Sequence, residues 1–151
     1  MEETSCYSYF SIGSNGVRKD GLGFVANENS IFDPDYISDK LAIQPFDIHR
    51  KGAARKYGVG PYPSSGWSAL KQTEPVFYVN EQCLKIVREL REKIPLLLEI
   101  KQEFDVFFCL EIVPYSYNGQ TPAITFDREV IEFCYLTGTE IDVDLYVGWD
   151  D

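Results

Sequence analysis

The chain is poor in histidine, has no paired cysteines and has no long apolar run, and each lack removes a class of function. With His49 the single histidine, a Ser-His-Asp or Cys-His arrangement would have to use that residue. The four cysteines (Cys6, Cys83, Cys109, Cys134) lie far apart without a Cys-x-x-Cys pair, which argues against a zinc site or thioredoxin-type chemistry. Cys109 and Cys134 sit in apolar segments, where a free thiol behaves as a small hydrophobe. No Gly-x-Ser-x-Gly elbow, phosphate loop or His-Glu-x-x-His occurs. No apolar run approaches the ~20 residues that cross a membrane. The start lacks the basic and apolar regions of a secretory signal, so the expected location is cytoplasmic. The expectation is a protein without catalytic residues, metal or cofactor: not an enzyme.

What is present is acid and aromatic character. The 151 residues hold 24 acidic and 14 basic side chains, for a formal net charge of -10. A negative field disfavours nucleic acid and anionic membrane and favours a basic partner, most plainly another protein. Apolar content of 44% and aromatic content of 15% suit a folded core. The length fits a single domain, 1–151.

Local signals order the elements. Tyr7 to Ile12 reads as a strand, Gly13 to Gly16 as a turn, and Leu22 to Val25 as a further short strand. Asp33 suits an N-cap, Pro34 a first helical position, and Phe32 with Ile37 a hydrophobic staple. Pro45 is expected to end that helix, with Phe46 to His49 leaving as a strand. Arg50 to Ser65 is a long breaker-rich loop, and Gly66 to Leu70 returns to strand. Glu74 to Val79 reads as extended, and Asn80 as the N-cap of the longest helix, kinked or restarted at Pro95. Phe104 to Tyr115 is the central strand, apolar on both faces. Asn118-Gly119 marks a hairpin with Thr121 to Phe126 returning. Asp127 caps a helix that ends at Gly138. Glu140 to Tyr146 then alternates, with Ile141, Val143 and Leu145 facing a core.

Phe32-Asp33-Pro34-Asp35-Tyr36-Ile37 has an echo in Phe126-Asp127-Arg128-Glu129-Val130-Ile131. A duplicated strand–turn–helix–strand unit would produce it; so would any two capped helices that each lead into a strand. The expected fold is one α+β domain, with a mixed or antiparallel sheet of about five to six strands and three main helices.

The same segments carry a resemblance. Phe32-Asp33-Pro34-Asp35 before a helix, Ile43-Gln44-Pro45, Arg50-Lys51-Gly52, Gly66-Trp67-Ser68 and the ending Ile141-Asp142-Val143-Asp144-Leu145-Tyr146 occur in the order found in the bacterial domain-of-unknown-function 4279 family, which the chain resembles over nearly its whole length. Ala42 stands where such sequences commonly have Gly, and Ala53 where an acid is common. The resemblance implies an α+β domain and supplies no activity.

Three readings of function follow. The first is a non-enzymatic protein-binding domain, in its specific form a bacterial immunity protein that neutralises a basic toxin through an acidic surface. It uses Tyr57, Tyr62 and Trp67 as aromatic anchors, with Asp142 and Asp144 as acids; the alternative for Tyr62 and above all for Trp67 is a core position at a strand edge. The second is a small-anion or ligand-binding domain built on His49, Arg50, Lys51, Arg55 and Lys56. Arg50 and Lys51 pairing with Asp142 and Asp144 is the structural alternative to that reading. An enzyme of unknown class comes third.

Overall fold

A computed structural model describes residues 3–150. The chain runs β1 (Ser5–Ser14), β2 (Gly16–Lys19), β3 (Gly23–Ala26), α1 (Pro34–Leu41), β4 (Pro45–His49), β5 (Gly66–Gln72), α2 (Val79–Leu90), α3 (Ile94–Glu103), β6 (Val106–Tyr117), α4 (Arg128–Thr137), β7 (Thr139–Val143) and β8 (Tyr146–Gly148). One 3-10 turn, Arg91–Lys93, joins α2 to α3, so the longest helix is broken in two just before Pro95. The three expected helical units are therefore present in an α+β domain.

The main sheet has the order β4-β5-β1-β6-β7, with β8 also paired to β6, and β2 with β3 forms a separate hairpin. Pairing is antiparallel from β4 through β6, and parallel where β6 meets β7 and β8. The sheet is thus mixed. The parallel pair follows from α4, which carries the chain back between β6 and β7.

Alternation along the two long central strands divides the residues between faces. Phe10 and Ile12 of β1 and Phe108, Leu110 and Ile112 of β6 are buried beneath the helices. They join Ile86, Leu90, Leu97, Ile100 and Phe133 in one core. Two polar groups inside it are fully bonded. Gln82 accepts from Ser8 Oγ at 2.8 Å and donates to Cys6 O and Pro75 O, both at 3.0 Å. Trp67 donates from Nε1 to Ser38 Oγ at 3.0 Å, which ties β5 to α1. No buried side-chain nitrogen or oxygen among the described residues lacks a partner.

Several local expectations are corrected. Strand β1 continues through Gly13 to Ser14 before the chain turns. Helix α1 stops at Leu41 because Ala42 turns left-handed (φ 54°), and Pro45 opens β4 instead of ending the helix. Glu74 to Val79 is not extended: it turns through a cis Glu74–Pro75 bond, and α2 starts at Val79. Asn80 lies within α2 and accepts from the Asp127 backbone N–H at 2.7 Å, so it helps to satisfy the start of α4 instead of capping its own helix. Asn118 and Gly119 make the turn with φ of 51° and 80°, yet Thr121 to Phe126 does not return as a strand. The flanks of β6 there are already taken by β1 and β8.

The C-terminal alternation keeps its sense and loses its cover. Ile141 and Val143 register with Leu110 and Ile112 on the helix side. They remain 38% and 41% exposed, and Leu145 49%, because β7 is an edge strand that breaks before β8. Ile131 is also exposed, whereas both members of the first staple, Phe32 and Ile37, are buried.

Candidate functional site

The face of the sheet away from the helices is where unusual side chains gather. Strand register lays them out in rows. His49, Gly66, Gly13 and Phe107 form one row across β4, β5, β1 and β6. Asp47, Ser68, Ser11, Cys109 and Glu140 form the next. Tyr9, Glu111 and Asp142 form the third. Further along, Tyr115 stacks on Tyr146 at 5.2 Å between ring centroids.

The two glycines allow rings to lie flat on the strands. A Cβ on Gly66 would fall on the His49 imidazole, and one on Gly13 would lie 2.5 Å from Phe107 Cζ. The outer face of His49 stacks on Tyr62 at 4.6 Å. The His49 and Phe107 rings help to line a cavity of about 370 Å³, together with Tyr9, Phe24, Ser11, Ser68 and Glu111. That size falls within the range of small-ligand sites.

Electrostatics on this face are perturbed by burial. Glu111 has its carboxyl raised above the usual range, first by burial and then by Asp142 beside it, while Ser11 Oγ donates to it at 3.3 Å. Burial, with Glu111 nearby, pushes Tyr9 up to about 12. The Cys109 thiol is raised as well, by burial and then by Glu111. His49 is lowered, mainly by burial and only secondarily by Arg55, against the pull of Asp47.

The structure separates the residues that sequence reading grouped. Arg50 does not reach the C-terminal acids: it bonds Asp33 at 2.6 Å and Asp35 at 2.9 Å, across the start of α1. The Asp35 backbone N–H first, and then the Arg50 guanidinium, hold Asp33 below the ordinary carboxylate range. Lys56 pairs with Asp47 at 3.1 Å, and Arg55 donates to Pro61 O at 3.3 Å. Lys51 is exposed on the loop's edge. Two of the loop's cations are thus already neutralised by acids of the same chain. Tyr57 is 89% exposed, Tyr62 covers His49, and Trp67 is buried on the helix side, where its ring belongs to the core. Asp142 and Asp144 do lie on the open face, Asp142 beside Glu111 and Asp144 accepting from Tyr146 Oη at 3.0 Å. Among the described residues no group of three or more His, Cys, Asp or Glu is placed to hold a metal ion.

A family model described as a domain of unknown function (DUF4279) matches residues 4–148. The chain belongs to the DUF4279 family. No curated protein and no solved structure gives a significant match. The open face of this DUF4279 domain is defined by its own geometry. Sequence reading passed over Tyr9, Ser11, Phe107 and Glu111. The available signal was Glu111 itself, an acid in the middle of a strand apolar on both faces, where a carboxylate has to find partners.

Proposed function

We propose that this domain is a non-enzymatic binding protein that captures a basic protein on the uncovered face of its sheet. One observation carries the reading: that face combines exposed or half-buried rings (Tyr7, Tyr9, Phe46, Phe107, Tyr115, Tyr146) with the acids Asp47, Glu111, Glu140, Asp142 and Asp144. Aromatic anchors rimmed by one sign of charge are what interface hot spots use, and opposite charge speeds encounter. The face already holds one cation of its own in this way, with Lys71 Nζ 4.5 Å from the Tyr7 ring and 5.5 Å from Phe46.

In its specific form the protein is an immunity protein acting in the cytosol, and its partner a basic toxin. No helix among the described residues is long and apolar enough to cross a membrane. The anion-binding reading has less support, because an anion at the basic loop would compete with Asp33, Asp35 and Asp47 for Arg50 and Lys56. The test is binding to the product of the adjacent gene by calorimetry across a salt series. The expected complex is tight, weakens as salt rises, and is lost in Glu140→Lys/Asp144→Lys but kept in Glu89→Lys on the helix side. A complex indifferent to the open-face reversal contradicts the reading.

A further inference from the structure

The cavity on the open face has a shape and a charge that favour one kind of occupant. Its lining includes the rings of Tyr9, Phe24 and Phe107 and the Ser11 and Ser68 hydroxyls; no lysine or arginine lines it among the described residues, and the one basic ring there, His49, is pushed by burial toward its neutral form. Glu111 lines it, and the register partner Asp142 sets a second carboxyl beside Glu111. An anion would meet this pair with nothing to balance it. A wholly apolar group would leave the Glu111 carboxyl and the Ser68 hydroxyl facing hydrocarbon, which is costly. A cation answers the acids and gains from the ring faces at once.

We infer that the cavity receives the guanidinium of an arginine side chain from the partner, stacked against Phe107 and Tyr9 and bonded to Glu111. A planar guanidinium stacks on rings and offers a carboxylate two parallel donors, whereas a lysine ammonium is a strongly hydrated point charge. The inference rests on the proposed capture of a basic protein and names the side chain that this face reads. Within the same logic, the paired glycines Gly13 and Gly66 are there so that Phe107 and His49 can fold down and leave room above the serines.

The experiment is a resonance-by-resonance titration of the isotope-labelled chain with three capped, glycine-flanked peptides carrying arginine, citrulline or lysine. The arginine peptide is expected to shift Tyr9, Phe24, Phe107 and Ser68. Citrulline, of the same shape without charge, should bind about tenfold or more weakly, as should arginine to Glu111→Gln, the loss typical of a charge-assisted hydrogen bond. Ser68→Leu fills the cavity without replacing an acid and should abolish these shifts; melting curves of both variants check that they fold. Equal binding of citrulline or lysine, or no effect of either substitution, overturns the inference. Shifts confined to Tyr115, Asp144 and Tyr146 overturn it while leaving the capture of a basic protein standing. Silence of the whole face toward both cationic peptides counts against both.

Discussion

The two faces of the main sheet are made from alternate residues of the same strands, yet they obey different rules. On the covered face Phe10, Ile12, Phe108 and Leu110 meet helices, and its buried polar groups, such as Gln82, are fully paired within the chain. On the open face Tyr9, Ser11, Cys109 and Glu111 occupy the intervening positions, where a carboxyl sits half-buried beside another acid. Stability and recognition are thus assigned to residues one position apart. A single strand can serve both because a pleat sends neighbours to opposite sides.

The division can be broken most sharply by paired substitutions on β6. Phe108→Ala, on the covered face, should cost about 3–5 kcal/mol of unfolding free energy in urea titration, as large-to-small changes in a packed core do. Phe107→Ala, on the open face, should cost less than half of that; equal costs would abolish the distinction. Next in size are the two helix ends, which share a left-handed cap but not a residue type. Ala42 has φ of 54° and Gly138 has φ of 67°. Ala42→Gly should stabilise by about 1 kcal/mol and Gly138→Ala should destabilise by a similar amount, read as opposite shifts in melting temperature.

The smallest expected effect is a pH dependence confined to the open face. Glu111 has a folded-state pKa raised above its unfolded value, so the folded chain holds its proton more tightly. Its contribution is complete below the ordinary glutamate range and is lost as pH rises through the raised value. Wild type should therefore lose stability relative to Glu111→Gln on going from acid toward neutral pH, measured as the difference between their denaturation midpoints. A difference that is flat with pH, or that runs the other way, would remove the carboxyl pair from the account.

Much of the architecture could be read from local rules, and the places where those rules stop are instructive. Asp33 and Asp127 cap their helices through the backbone N–H groups of Asp35 and Glu129, at 2.9 and 3.0 Å, because capping depends only on neighbours in sequence. The echo between the two units is real at that level and ends there. Strand β4 leaves α1 to pair antiparallel at one edge, while β7 leaves α4 to pair parallel at the other. Which strand flanks which is decided by long-range packing, so the returning strand after Asn118-Gly119 was expected and did not form. The site was hidden for the same reason. Arg50 finds Asp33 and Asp35, and Glu111 finds Asp142, only after the sheet is assembled. Asp142 and Asp144 were legible as acids on one strand face; the rings and the second carboxyl that give them a context were not.

The claim that the open face captures a basic partner is tested most directly by selecting randomised displayed peptides against the intact chain and re-measuring the winners on Glu140→Lys/Asp144→Lys. The account predicts arginine- and lysine-rich winners that compete with one another, weaken with salt and fail on the reversed surface. Winners without basic enrichment, or winners that bind the reversed surface unchanged, would contradict it.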